Sequence, residues 1–323
     1  MIDAAIVGLG RWGRSLVEAV HANSTRIRFV RALDPAPHGK AYAETKDIPS
    51  ADSFTDVLGD PSVNAVVLAT PHSLHREQVV AAARAGKHVF CEKPLALKTS
   101  DAHAMLDACA KTGVQLAVGQ NRRFWPAMQT LKRIVSEERL GRLLHIEGHN
   151  SNENSNRVTG GWRTLPDESP GGGLTGSGLH VLDSFVYLLG PVRQVYAQLR
   201  SYEKGIPPLD AMSAMYEFAN GCSGTLATVR ATPFYWRVHI FGSLGSAEVL
   251  GETELVLRMS GKPPERIACE PADALRVELE AFADAVEKHA PFPISPESML
   301  ATVSAFEATV RSLDTGAPAE IRS

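Results

Sequence analysis

Six residues near the start of the chain, Gly8-Leu9-Gly10-Arg11-Trp12-Gly13, limit the fold more than any other feature. They follow a short apolar run, Ala4–Gly8, and open a segment, Gly13–Asn23, whose apolar residues recur at three- and four-residue spacings, so the glycines stand at a strand-to-helix turn. Such a turn lets the backbone close tightly and approach a pyrophosphate, whose charge the N–H groups and dipole of the helix N-terminus stabilise. Asp34 ends the next apolar run, Phe29–Leu33, 21 residues beyond Gly13, where an acid accepts hydrogen bonds from the adenosine ribose hydroxyls. Gly8, Gly10, Arg11, Trp12, Gly13 and Asp34 are therefore candidate dinucleotide ligands. A carboxylate at that place repels a 2′-phosphate, which favours NAD; Arg11, His38 and Lys40 keep NADP open.

The alternation begun by that turn continues to about residue 120. Ala65–Ala69, His88–Cys91 and Gln115–Val118 have strand length and composition, and Leu74–Ala85 and Ser100–Lys111 have helical spacing, with Gly86 and Gly113 where helix C-caps belong. Strands alternating with helices imply parallel strands joined by right-handed crossovers, a doubly wound Rossmann sheet over residues 1–120. Beyond Asn121–Pro126 the rhythm changes. A helix (Ala127–Glu138) and a strand (Leu143–Gly148) precede a polar, glycine-rich stretch from Asn150 to Gly173, and a second helix covers Ser177–Leu189. Strand-like runs then succeed one another: Val192–Leu199, Ala211–Phe218, Gly224–Thr232, Val238–Phe241, Ala247–Leu250 and Glu254–Arg258. Strands without intervening helices indicate an open, mostly antiparallel sheet in an α+β domain, residues 121–323. Two closing helices, Ala272–His289 and Pro296–Asp314, have apolar faces to pack on one of the domains.

Composition removes several functions. With 33 Lys+Arg against 36 Asp+Glu the formal net charge is −3, which argues against a nucleic-acid surface. No apolar run reaches the roughly 18 residues of a membrane helix. The chain enters its first strand at once, so a cytoplasmic protein is expected. The four cysteines, Cys91, Cys109, Cys222 and Cys269, lack the spacing of a zinc site or a disulfide framework, and no metal is expected.

The chemistry is expected after the strand His88–Cys91, where Glu92-Lys93-Pro94 sets a lysine at the same sheet edge as the glycine loop. A lysine there stabilises an alkoxide or, partly desolvated, exchanges a proton. Thr70-Pro71-His72-Ser73-Leu74-His75 borders the same crevice, with His72 and His75 open to two readings, ligands or polar helix-start residues. In the helix Ser177–Leu189, His180, Asp183, Ser184 and Tyr187 fall on another side from the apolar stripe Leu179, Leu182, Phe185, Val186 and Leu189. Tyr235 and Trp236 line a pocket or pack the sheet, and Asn150, Asn152, Asn154 and Asn156 read as a solvated loop.

The glycine start, Ala69-Thr70-Pro71-x-x-x-His75, Ala85-Gly86-Lys87-His88-Val89, Glu92-Lys93-Pro94, Asn121-Arg122-Arg123-Phe124, Gly161-Trp162-Arg163, Gly171-Gly172-Gly173 and His180-x-x-Asp183 together resemble the Gfo/Idh/MocA family of NAD(P)-dependent oxidoreductases. The resemblance spans both domains. It implies oxidation of a secondary alcohol of a sugar, inositol or similar cyclic polyol, or reduction of the ketone. Lys93 matches the catalytic lysine, His180 the catalytic histidine and Asp183 the acid one turn later. Thr70, Pro71, His75, Glu92 and Lys93 fall on the cofactor side, and Arg122, Trp162, Arg163, Thr175 and His180 on the substrate side. The family's sheet face implies a homo-oligomer, a dimer or tetramer. The sequence departs at Gly176, where the family usually carries an Asp four residues before the histidine. Asp183, at i+3, shares the face of His180 and is positioned to orient it. Two other readings stay open: a dehydrogenase of an aromatic-pathway dihydrodiol or related carboxylated ring, and a non-catalytic dinucleotide-sensing protein, against which Lys93 and His180 count.

Overall fold

The computed structural model describes residues 1–152, 161–162, 165–203, 209–230 and 232–321. The chain divides into two compact units, residues 1–121 with 273–299, and residues 122–272 with 300–323.

The first unit is built on a parallel sheet. Its strands are β1 (Ile2–Val7), β2 (Ile27–Leu33), β3 (Ala65–Leu68), β4 (His88–Glu92) and β5 (Leu116–Gly119), in the order β2-β1-β3-β4-β5. Helices α1 (Arg11–Val20), α2 (Pro37–Glu44), α3 (Phe54–Gly59), α4 (His75–Arg84) and α5 (Thr99–Thr112) form the crossovers. Strand β3, Ala-Val-Val-Leu, is buried at every residue because helices cover both faces. Short α2 and α3, eight and six residues, carry too little periodicity to be read from sequence.

In the second unit α6 (Pro126–Ser136), β6 (Leu143–Asn152) and α7 (Leu179–Leu189) precede β7 (Val192–Glu203), β8 (Leu209–Phe218), β9 (Ser223–Arg230), β10 (Tyr235–Gly242), β11 (Gly245–Val249), β12 (Glu254–Met259) and β13 (Glu265–Ala268). Helices α8 (Ala274–Lys288) and α9 (Pro296–Thr315) and a two-residue strand β14 (Ala319–Glu320) close the chain. The sheet runs β13-β12-β11-β10-β6-β9-β8-β7-β14, antiparallel except for the parallel pair β6 and β9. Its inner face carries Ile146, Leu226, Val238 and Ile240, all buried. Gly148 belongs to that face because a Cβ there would strike Val181 and Phe185 of α7. Helix α8 belongs to the first unit, where Phe282 meets Phe90 of β4 edge to face at 5.8 Å. No helix among the described residues is long and apolar enough to cross a membrane.

Three differences from the sequence reading bear on the site. Strand β10 starts at Tyr235 and β6 runs on to Asn152, so both reach into segments read as loop. Residues Leu174–Gly178 form one π-helical turn before α7, so Ser177 and Gly178, read as the start of the helix, belong to that turn. The glycines there serve close packing: a Cβ at Gly173 would lie 2.5 Å from Thr228 Oγ1, and one at Gly178 2.9 Å from Thr228 Cγ2. Helix α7 is also buried on both sides, with Tyr187 the one residue not buried, so its polar side is no solvent face.

Candidate active site

The carboxyl edge of the first sheet gathers the nucleotide residues in spatial order. Asp34 follows β2, the glycine loop follows β1, Thr70-Pro71 follows β3 and Lys93 follows β4. From β2 to β4 is three strand spacings, about 15 Å. An extended dinucleotide lies across such an edge with its adenosine at β2 and its reactive ring at β4.

Gly8 has φ +93, which only glycine adopts freely, and a Cβ there would lie 2.6 Å from the Ala69 carbonyl oxygen. A Cβ at Gly13 would overlap the Gly8 carbonyl, so α1 packs directly on the turn. At Gly10, the N-cap of α1, a Cβ would meet nothing within 4 Å. That open flank beside the helix N-terminus fits a pyrophosphate. Trp12 Nε1 is buried without a hydrogen-bond partner among the described residues, and Arg11 is exposed.

Asp34 is clamped. The Leu9 N–H donates to Oδ2 at 2.6 Å and the Ala36 N–H to Oδ1 at 2.8 Å. Each carboxylate oxygen keeps lone pairs for ribose hydroxyls. Arg14 ties the loop from the other side, donating to the Leu9 carbonyl at 3.0 Å and to that of His38 at 3.1 Å. Sequence reasoning missed Gly39. A Cβ there would sit 2.5 Å from the Asp34 carboxyl carbon and 2.9 Å from Oδ1, so α2 rests on the acid only because residue 39 has no side chain. Gly39→Ala is expected to raise the KM for NAD at least about tenfold with kcat within about twofold, since it displaces a ground-state contact rather than a reacting group. Steady-state kinetics with NAD varied check this; an unchanged KM would remove Asp34 from the cofactor contacts.

Several residues read as cofactor ligands do other work. His75 is fully buried, with Nδ1 2.9 Å from the Pro94 carbonyl and Nε2 3.2 Å from that of Thr70. A carbonyl only accepts and a neutral imidazole carries one N–H, so the ring donates to one of these two carbonyls, with the tautomer deciding which, and packs between the β3 turn and the segment behind Lys93. Its expected cofactor contact is corrected: no surface of it reaches a ligand. Glu92 is 5% exposed, and its carboxylate occupies the space left by Gly119 on β5, where a Cβ would lie 2.6 Å from Oε1. Its Oε2 accepts the Lys93 N–H at 3.2 Å, which ties the carboxylate to the backbone of the lysine. Thr70 donates its hydroxyl to Gln78 at 2.6 Å. Pro71 and Lys93 remain partly exposed at the edge.

In the second unit, His180 in the first turn of α7 is 8% exposed. Asp183 does not face solvent or stand free to orient it. Its carboxylate takes both Nε and Nη2 of Arg123 at 2.7 Å and the Thr302 hydroxyl at 3.1 Å, with both members of the ion pair almost fully buried. These bonds tie α7, the helix that carries His180, to Arg123 and to Thr302 of α9, and they occupy the carboxylate that the sequence reading assigned to catalysis. Arg123, the missed partner, was visible only as the second arginine of Asn121-Arg122-Arg123-Phe124.

Thr175 is 2% exposed and spends its hydroxyl on the Pro170 carbonyl, so its expected substrate contact is also corrected. Gly176 is exposed, and a Cβ there would meet nothing within 4 Å. Asn150, read as solvated, is 2% exposed on the inner sheet face and donates to the Ser177 carbonyl at 2.9 Å. Alternation with Ile146 and Gly148 is the signal that places it inward. Asn154, Asn156 and Arg163 lie outside the described residues; Trp162 is half-buried. Tyr235 and Trp236 divide: Tyr235 is 48% exposed, whereas Trp236 is buried edge to face on Trp125 at 5.2 Å.

Residues 2–120 match the model of an oxidoreductase family with an NAD-binding Rossmann fold, and residues 128–248 match the GFO/IDH/MocA C-terminal domain. The chain is 29% identical over 335 residues to a 1,5-anhydro-D-fructose reductase of Ensifer adhaerens, covering 98% of this chain and 99% of that one. It is 29% identical over 272 residues to a 2,7-anhydro-N-acetylneuraminate hydratase of Escherichia coli K12, covering 81% and 71%. Its fold superposes with a TM-score of 0.90 on a levoglucosan dehydrogenase in complex with NADH and L-sorbose, at 24% identity, covering 100% and 99%. With both of its halves matched, the chain belongs to the GFO/IDH/MocA family of NAD(P)-dependent oxidoreductases, which act on CH–OH groups.

Proposed function

We propose that the chain oxidises a secondary alcohol of a sugar, inositol or similar cyclic polyol, or reduces the matching ketone, with NAD preferred over NADP. The observation that carries this reading is the placement of Lys93 two strands from the glycine loop on one sheet edge, where the reactive end of a dinucleotide fits. Similarity over nearly the full length to a 1,5-anhydro-D-fructose reductase supports the substrate class. When bound, NAD(P) accepts or supplies the hydride.

The chain's own groups handle the proton and the charge. His180 takes the hydroxyl proton as general base, and the Lys93 ammonium stabilises the oxygen as it becomes an alkoxide. Glu92 and His75 fix the Lys93 segment, and Arg123 with Asp183 fixes the helix of His180. Pro71 and Thr70 border the cofactor, and Trp162 the substrate. At Gly176 the space left free admits a bulkier or flatter substrate than an Asp would.

The outer face of the second sheet is the proposed contact between copies. Met215 is 57% exposed there, beside a depression of about 510 Å³ lined by Glu147, His149, Tyr196 and Arg237. A soluble homo-oligomer working in the cytoplasm is the corresponding proposal. The reading is tested by NADH formation from NAD with sugars, inositols and polyols, with NADP in parallel.

A further inference from the structure

The turn that leaves the first sheet presents a cation without a full partner. The Arg122 guanidinium carbon lies 3.7 Å above the Trp125 ring, 5.4 Å from Trp236 and 5.9 Å from Phe234. Its side chain is 18% exposed, and its ion-pair partner among the described residues, Glu252, stands 3.8 Å away and is 58% exposed. Burial lowers the pKa of the guanidinium to about 10, with Glu252 opposing that shift. Two donors there meet no acceptor among the described residues: Arg122 Nε–H and the Nε1–H of Trp236, which is 2% exposed.

Stacking satisfies the face of a guanidinium but not its N–H edge, and a buried donor left without an acceptor costs stability. The cluster thus offers donors, aromatic walls and one positive charge, and its carboxylate among the described residues, Glu252, leaves Arg122 Nε and Trp236 Nε1 unmet. We propose that Arg122, walled by Trp125, Trp236 and Phe234, receives a carboxylate of the substrate, so that the alcohol oxidised belongs to an acidic sugar or cyclic hydroxy acid. This rests on the dehydrogenase reading. The N–H edge of a guanidinium matches the two oxygens of a monoanion. A phosphate dianion would meet Glu252 with a single charge to offset it. Aromatic rings suit the C–H faces of a sugar ring. Along the chain Arg122 follows Gly119, the sheet partner of Glu92, by three residues, and Lys93 follows Glu92.

The test uses the NADH-loaded full-length protein and matched probes: D-glucuronate with D-glucose, D-galacturonate with D-galactose, and quinate with myo-inositol. Binding is read by NADH fluorescence and calorimetry on the NADH-loaded protein, and hydride transfer by absorbance with NAD in place of NADH, so that the alcohol has an oxidant. In at least one pair the acid should bind about tenfold or more tighter than its neutral partner, the worth of one charged hydrogen-bonded contact. Arg122→Met should abolish that preference, and Arg122→Lys, which keeps charge without the fork, should retain only part of it. Melting curves establish that each variant is folded, and the wild-type comparison stands without them. Equal binding within every pair, no binding of any acid, or an acid preference that survives in folded Arg122→Met overturns the proposal. Hydride transfer to or from neutral sugars with no acid preference overturns it while leaving the dehydrogenase reading intact. Arg122-dependent acid binding without hydride transfer leaves the subsite standing and removes that reading.

Discussion

Asp183→Asn is expected to destabilise the protein by about 3–5 kcal/mol, because it removes the Asp183 charge from the buried Arg123 guanidinium. The pair is bidentate, with both bonds at 2.7 Å, and the side chains are 4% and 2% exposed, so neither water nor salt can replace the lost partner. Arg123→Met should cost a similar amount, since Thr302 alone then faces the Asp183 carboxylate. The double variant Arg123→Met with Asp183→Leu should cost less than the two single changes together, because removing both charges also removes their desolvation. Urea unfolding of the three variants measures this. As a control, the Arg193–Glu217 pair is 63% and 42% exposed, and its disruption should leave the unfolding midpoint unchanged. A loss for Asp183→Asn no larger than that of the control would mean that the buried pair does not hold α7. Below its melting temperature the same variant should keep the wild-type pH profile of kcat; a shifted profile would return Asp183 to a direct role at His180.

Lys93→Met should reduce turnover by about 10³-fold or more, the scale of losing charge stabilisation and proton exchange at one centre. NAD affinity should stay within a few-fold, because the glycine loop and Asp34 carry cofactor binding and lie two and three strands away. Methionine keeps most of the length of the lysine stem, so the Glu92 contact to the residue-93 N–H is retained. Single-turnover kinetics and NADH fluorescence separate the two effects. Loss of cofactor binding with turnover would show that Lys93 is part of the nucleotide site instead.

The first unit was legible because its information is local. A strand, three glycines, a helix and an acid fall within 27 residues, Gly8 to Asp34, and each link is a backbone requirement. Lys93 was equally visible at the end of β4. What the sequence hid are contacts between distant segments. Asp183 stands at i+3 from His180, which suggested a helical pair, yet its partners Arg123 and Thr302 lie 60 and 119 residues away. His75 looked like a crevice residue until β4 brought the Pro94 carbonyl to its ring. Ser177 and Gly178 read as the start of a helix, yet they belong to a π-helical turn in which Gly178 packs closely on Thr228 of β9. Gly39 gave no turn or repeat to notice, because its need is only for space beside Asp34. Asn150 was misread for a different reason: β6 runs on to Asn152, so alternation, not loop polarity, decides which way it points.

The most direct measurement is NADH formation by the purified protein with NAD and a panel of aldoses, uronates, inositols, polyols and cyclic dihydrodiols, repeated with NADP. Turnover on a sugar or cyclic polyol, faster with NAD than with NADP and absent in Lys93→Met, is the predicted result. NADH binding without hydride transfer to or from any member of the panel would contradict it and leave a dinucleotide-binding protein in place of an enzyme.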